Sequence, residues 1–412
     1  MKYSILIPTR NGIYYLKHAI ETVLNQSEND VELIVSDNHS SDGTWDYLQS
    51  LNDPRLVCVQ PPFAMSMVKH WEFLLEKPKG EWVVLIGDDD GLQPYFFQYC
   101  NQVISQHPTA SIISSPRAYY FWEGSEIFFK GTVMSYSVLN KPIEIKQSKD
   151  ALKDLLFSNS EYFEYPQVYT STLVRKSVIE HIKLKQNGVF FNSITPDANG
   201  VIALLRNVQE YIYTPLPICW VGTSKKSTGF STTANNNNDN SPKKDFKNLN
   251  LKDGIFIHHL FPNLLKIFDS QLFFLEAWYK NDELYKQKTI PNTFFYKHFV
   301  FTKPFANLKS KYETSELKPL INELLKEHRL NIKLLSILKY YRIAYHGAFR
   351  FIKKKTENLF MKLFKTRLAK KEFLIELNST DRKSYSTIID ACHITMQCYN
   401  EVDLIKKAKK IS

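Results

Sequence analysis

Trp82-Val83-Val84-Leu85-Ile86-Gly87-Asp88-Asp89-Asp90-Gly91 is the stretch on which the fold turns. Its uninterrupted apolar run, with Gly80 before it and Gly87 behind it, suits a strand buried on both faces of a parallel sheet; a half-exposed strand would alternate. The run halts at adjacent carboxylates, whose mutual repulsion must be offset by cations or hydrogen bonds. A divalent metal carrying a phosphorylated ligand would supply that offset. A solvated acidic turn, for which Asp-Gly is a common ending, is the plainer alternative.

Outward from this run, short apolar stretches alternate with helix-period segments. Strands are expected at residues 3–7, 31–35, 55–59, 82–86 and 111–114. Between the first two, Leu16, Ala19, Ile20, Val23 and Leu24 recur at helical spacing. Residues 40–44 carry N-cap chemistry for a second helix, and helices are also read at 66–75 and from Pro94 to His107. Such alternation is the signature of βαβ units, an α/β class with a doubly wound sheet. In open sheets of this kind ligands bind beyond the carboxyl ends of the strands, where strand order reverses. Thr9-Arg10, Asp37 and residues 88–90 fall at those ends.

From 116 to 222 the pattern is less regular. The aromatic and β-branched stretch 119–134 suggests antiparallel strands, 168–174 a further strand, and Pro196-Asp197 the entry to a helix. Residues 1–230 are read as one domain, 231–249 as a flexible Ser-, Asn- and Lys-rich linker, and 250–412 as a mainly helical, basic region. Within that region, 332–364 interleaves apolar residues with lysine and arginine. Two readings stay open: an amphipathic helix on an anionic bilayer, or an appendage packed on the first domain with its lysines solvated.

The chain has 412 residues, 43% of them hydrophobic, and a formal net charge of +11. That is room for a sizeable core, and the charge suits anionic partners without choosing among them. No recognisable nucleic-acid motif accompanies it. Five cysteines without a CxxC, an odd number, are unlike a disulfide framework and favour a reducing, cytoplasmic setting. The first residues reach Pro8 too soon for a signal-peptide apolar region, and no run of about 18 apolar residues suits a membrane span.

Pro8-Thr9-Arg10-Asn11, then Ser36-Asp37-Asn38-His39-Ser40-Ser41-Asp42-Gly43-Thr44, then Gly87-Asp88-Asp89-Asp90, in that order and spacing, resemble the inverting glycosyltransferase family 2. The resemblance covers the chain to about residue 230 and implies the GT-A fold, a doubly wound mixed sheet. It implies further that Pro8, Thr9, Arg10 and Asn11 line a nucleotide pocket and that Asp37 hydrogen-bonds the base. Asp88 and Asp90 would be the Asp-x-Asp pair holding Mn²⁺ or Mg²⁺ on the donor diphosphate. Asp90 would be the principal ligand, Asp88 would approach the ribose or a metal-bound water, and Asp89 between them would belong to the donor site. Asp197 resembles the acceptor-side general base, although many relatives read Glu-Asp there; capping its own helix is the competing role. Lys225 and Lys226 sit in a stretch similar to a loop that closes over the donor, or in a solvated linker.

The function implied is inverting transfer of a sugar from a nucleotide diphosphate, UDP in the first instance, to a glycan or lipid-linked acceptor in bacterial capsule or lipopolysaccharide synthesis. The basic C-terminal region would place the enzyme at the inner face of the cytoplasmic membrane. A sugar-phosphate nucleotidyltransferase would need a glycine-rich phosphate loop after the first strand, which 8–12 does not supply. A non-catalytic glycan-binding protein would have no use for Asp37, Asp88, Asp90 and Asp197 together. His39, Lys69, His70 and the His258-His259 pair receive no role.

Overall fold

Strand β1 (Tyr3–Thr9) is buried at every position. Leu6 enters one apolar layer with Ile34, Val83 and Leu85, whereas Tyr3, Ile5 and Ile7 enter another with Leu33, Val35, Trp82, Val84 and Ile86. Packing on both sheet faces is why these strands read as continuous apolar runs. In this computed structural model the described residues are 1–126, 130–139, 141–157, 162–227, 242–253, 373–378 and 386–411, with single positions between 319 and 338.

The elements after β1 are α1 (Ile13–Leu24), β2 (Val31–Asp37), α2 (Thr44–Ser50), β3 (Leu56–Val59), α3 (Met67–Leu74), β4 (Trp82–Leu85), β5 (Gly91–Leu92), α4 (Phe96–Gln106) and β6 (Ile112–Ser114). There follow β7 (Ala118–Phe121), β8 (Thr132–Val138), β9 (Glu144–Gln147), α5 (Ser148–Phe157) and a short 3₁₀ turn, Tyr162–Glu164. Then come β10 (Thr172–Arg175), α6 (Lys176–Lys185), α7 (Pro196–Asn207), β11 (Glu210–Tyr213), β12 (Cys219–Thr223), α8 (Pro242–Asp253), β13 (Phe373–Asn378) and α9 (Ile388–Ile411). In α1 the residues turned inward include Leu16, Ala19, Ile20 and Val23, the stripe expected from their spacing.

One sheet has eight strands in the order β3-β2-β1-β4-β10-β6-β11-β9. Strands β3, β2, β1 and β4 run parallel, and β10 lies antiparallel between β4 and β6. The architecture is therefore a mixed, doubly wound α/β sheet. Its order reverses between β1 and β4, so the ligand crevice opens at the carboxyl ends of those two strands. The strand expected over 168–174 is confined to Thr172–Arg175 because Thr170 and Ser171 take left-handed backbone angles, φ 38° and 49°, and break the extended chain.

A second sheet, β13-β8-β7-β12-β5, flanks the first. Its edge is supplied from far along the chain: β13 pairs antiparallel with β8. Helix α9 then returns to the β1 layer, burying Ile388, Ala391, Cys392 and Tyr399 there. Tyr399 stacks on Tyr95 at 4.5 Å and 15°, and Thr395 Oγ1 donates to Gln93 Oε1 at 2.9 Å. The region expected to be a helical appendage thus contributes a strand and a helix to the core of the first domain.

The expected linker ends earlier than residue 249, since α8 begins at Pro242. Of the amphipathic stretch 332–364, Leu335 and Leu338 are buried, Leu335 in the same layer as Leu6, while Lys333 is exposed. That part packs as an appendage would. The remainder from 339 lies outside the described residues, as do His258 and His259. Among the described residues no helix is long and apolar enough to cross a membrane.

Candidate active site

The carboxyl ends of β1, β2 and β4 meet in one place. Thr9 pairs in register with Asp37, and its hydroxyl donates to Asp88 Oδ2 at 2.6 Å, which ties the β1 turn to the acidic triplet. Asp88 packs so closely over Gly12 that a Cβ there would stand 1.9 Å from its Oδ2. Asp89 accepts both side-chain bonds on Oδ2, from Ser224 Oγ at 2.7 Å and Ser227 Oγ at 2.6 Å. Asp90 is fully buried, with Oδ2 taking the Gly87 amide at 2.6 Å and Oδ1 the Gly222 amide at 2.8 Å. A Cβ at Gly222 would fall 1.6 Å from the Asp89 carbonyl oxygen, so β12 can close on the triplet only through glycine.

Burial pushes the Asp88 and Asp90 carboxyls up to about 7, with the neighbouring Asp89 charge adding to it. Burial also raises Asp89, against the opposing hydrogen bonds from Ser227 and Ser224. Lys226 lowers Asp88 from a distance, but among the described residues no member of the triplet forms an ion pair. Raised carboxyls hold protons that the unfolded chain has lost, so their contribution to stability is greatest at low pH. It declines as pH climbs from the unfolded value of 3.8 toward about 7. Thermal unfolding of the metal-free protein should therefore show a midpoint that falls between pH 5 and 7. That fall should be shallower in Asp88→Asn, and an equal slope in the two proteins would contradict the assignment.

This charge is chemically suited to a hard cation. Asp90, the expected principal ligand, accepts one backbone amide on each oxygen, which leaves a lone pair on each for a cation. Asp88 takes the Thr9 hydroxyl at Oδ2, and Asp89 takes backbone amides as well as the two serine hydroxyls. Among the described residues no cluster of three or more ligating side chains occurs, so remaining ligands would come from a diphosphate and water.

The expected nucleotide side is firmly tied. Pro8 is buried within β1. Arg10 Nη1 donates to the carbonyls of Asn38 at 2.5 Å and His39 at 3.0 Å, while its Nε and Nη2 reach Asp245 of α8 at 2.5 and 3.3 Å. Asn11, left-handed at φ 54°, accepts the Ser41 amide at 2.7 Å. Asp37 is 0% exposed. Its carboxylate takes the Ser40 amide and hydroxyl and Gln60 Nε2 at 2.8 Å. Asp42 bonds the Ile13 amide at the start of α1 as well as Thr44, and α2 itself starts after left-handed Gly43. Of the two lysines, Lys226 acts on the triplet, whereas Lys225 lies along Gly124, where a Cβ would meet its Cε at 2.0 Å.

Asp197 stands in the first turn of α7 behind Pro196. Its Oδ2 accepts the Tyr162 hydroxyl at 2.9 Å, so its described partner is a tyrosine across the site rather than a helix amide. The wall between Asp197 and the triplet continues through Phe163, with the Arg117 guanidinium 5.0 Å from its ring centroid, to Tyr169, which favours the charged form of Asp90 and packs on Trp71 at 4.9 Å. Sequence reading missed Gly12, Tyr162, Tyr169, Arg117, Gln60 and Asp245. Their partners are dozens of residues away, and no local pattern marks them.

A sequence model of the family described as Glycosyl transferase family 2 matches residues 4–158. The UDP-Glc:alpha-D-GlcNAc-diphosphoundecaprenol beta-1,3-glucosyltransferase WfaP of Escherichia coli is 24% identical over 128 residues, 27% of this chain and 51% of that protein. The GalNAc(5)-diNAcBac-PP-undecaprenol beta-1,3-glucosyltransferase of Campylobacter jejuni is 34% identical over 94 residues, 22% of this chain and 30% of its own length. The chain thus spans about half or less of these curated relatives. Among solved structures, S. aureus TarS residues 1–349 in complex with UDP-GlcNAc aligns with TM-score 0.49 and 14% identity, covering 84% of this chain and 89% of that one. The 8–11 turn, Asp37 and the triplet all lie inside the span, residues 4–158, that is similar to glycosyl transferase family 2.

Proposed function

We propose that the chain transfers a sugar, with inversion, from a nucleoside diphosphate donor, UDP in the first instance, to a glycan on a lipid carrier in bacterial surface-polysaccharide assembly. The observation that carries this reading is the Thr9–Asp88 bond, which builds an acidic, buried junction at the switch point of a doubly wound sheet, where such folds hold nucleotides. The acceptor class is taken from the relatives, whose names specify undecaprenol diphosphate-linked sugars.

In this reading Asp88 and Asp90, with Asp89 between them, would hold Mn²⁺ or Mg²⁺ on the donor diphosphate, and the cation, when bound, stabilises the negative charge of the leaving phosphate. Lys226 adds positive charge on the same side. Asp197 removes the acceptor hydroxyl proton as that oxygen attacks the anomeric carbon from the face opposite the nucleotide. Tyr162, by donating to one carboxylate oxygen, orients Asp197 and leaves the other for the proton. The enzyme works on the cytoplasmic side of the membrane, where its basic residues can meet an anionic surface.

A nucleotidyltransferase is disfavoured because the turn after β1 spends its arginine on Asn38, His39 and Asp245 and offers no glycine-rich phosphate loop. The test is a thermal-shift panel of nucleoside diphosphates and nucleotide sugars with Mn²⁺. Ligand at 100 times its Kd should stabilise by about 2.7 kcal/mol, UDP compounds doing so in preference to others. A folded protein indifferent to every nucleotide would end this reading.

A further inference from the structure

Arg117 lies in the link between β6 and β7, and its side chain is unusually alone. Its Nε is buried without a hydrogen-bond partner. Among the described residues its guanidinium forms no ion pair, and its contact is with the Phe163 ring at 5.0 Å. A buried Nε–H without an acceptor, in a half-buried fork held beside a ring, is costly unless something else supplies the acceptor. Planar carboxylates and phosphates are the groups that fork matches.

The position narrows the choice. Phe163 is adjacent to Tyr162, whose hydroxyl holds Asp197, so the arginine's ring partner and the base's hydrogen-bond partner are side by side on one 3₁₀ turn. On its other side Arg117 acts electrostatically on Tyr169. The next wall is the Thr170–Ser171 turn: Ser115, two residues before Arg117, donates its amide to the Ser171 carbonyl at 2.9 Å. Both residues of that turn are left-handed, and their buried hydroxyls also have no partner. Left-handed angles are strained in residues that carry a Cβ. The cation acting on Asp88, at the donor end, is Lys226. Arg117 therefore stands between Tyr169, which acts on Asp90, and the 3₁₀ turn that holds Asp197, and its ring contact ties it to the latter, the acceptor side in this reading.

Resting on the transferase reading above, we propose that Arg117 is an acceptor-side anion clamp: its guanidinium binds a phosphate on the acceptor, one sugar ring from the attacking hydroxyl, and so aligns that hydroxyl with Asp197. The acceptor class follows as a glycan whose reducing end carries a phosphate or diphosphate. A neutral oligosaccharide would leave the fork unfilled.

The experiment compares wild type, Arg117→Lys and Arg117→Met on two acceptors, a short-chain prenyl diphosphate glycan and the same glycan as a neutral alkyl glycoside. Equilibrium binding of each acceptor is measured beside transfer, with UDP binding followed separately. Wild type should prefer the diphosphate acceptor by about 10–100-fold, as expected for a hydrogen-bonded charge. Arg117→Met should bring the ratio close to one, mainly through acceptor KM, Arg117→Lys should recover part of it, and UDP affinity should hold. A loss falling equally on both acceptors, or falling on UDP, would overturn the proposal. Should no nucleoside diphosphate bind wild type, the transferase reading fails; the clamp is then judged on diphosphate-glycan binding alone, which must weaken in Arg117→Met or the proposal falls with it.

Discussion

Asp197→Asn should lower the transfer rate by about 10²–10⁴-fold, the range for removal of a general base, while UDP affinity and folding stay close to wild type. Asparagine keeps the shape of aspartate and can still accept the Tyr162 hydroxyl that holds Oδ2 at 2.9 Å, so the wall of the site survives. What is lost is the charge that takes the proton. The Thr195 side chain makes no cap bond at the start of α7, and Asp197 faces Tyr162; the helix therefore loses little beyond a favourable charge in its first turn, about 0.3–1 kcal/mol. Tyr162→Phe should be milder, since it disorients the base without neutralising it. Steady-state kinetics with calorimetric UDP titration separates the roles. A variant that unfolds at lower temperature yet retains its rate would make Asp197 a helix residue after all.

Removing residues 373–412 should leave the rest of the chain unable to fold, not merely detached from a membrane. The deletion takes β13 from the edge of the second sheet and strips Ile388, Ala391, Cys392 and Tyr399 from the layer that contains β1. Fully burying a large apolar side chain contributes about 1.5–3 kcal/mol, and the Tyr95–Tyr399 stack about 0.5–1.5 kcal/mol beyond its area. The sum rivals the whole net stability of a domain, about 5–15 kcal/mol. Soluble yield and cooperative unfolding by circular dichroism check this. A truncated protein that unfolds cooperatively and still binds UDP would show the C-terminal elements to be dispensable.

How much of this was legible in the sequence depends on how local each feature is. Trp82 to Ile86 announced a two-faced buried strand because both neighbours of that strand demand apolar side chains, and the α1 stripe announced its helix in the same way. The triplet announced its chemistry but not its division of labour. Which carboxylate turns inward depends on the Gly222 amide, 132 residues downstream of Asp90, and no spacing within 88–90 encodes that. The same holds for Tyr162 on Asp197 and Asp245 on Arg10. Thr170 and Ser171 carry no turn signature, since β-branched threonine is a poor choice for a left-handed angle, and the strand there was read too long. In the C-terminal region, interleaved lysines and apolar residues suggest a mainly helical chain, yet 373–378 completes a sheet because β8 offers it an edge.

The most direct measurement is the anomeric configuration of the product, read by NMR after incubating the folded protein with a UDP-α-sugar, Mn²⁺ and a diphosphate-lipid glycan. The expected product is β-linked and disappears with Asp88→Ala or Asp197→Asn. An α-linked product, or an intact protein that binds UDP-sugar and acceptor without joining them, would contradict a site in which Asp197 deprotonates the acceptor opposite a nucleotide held at the β1–β4 crevice.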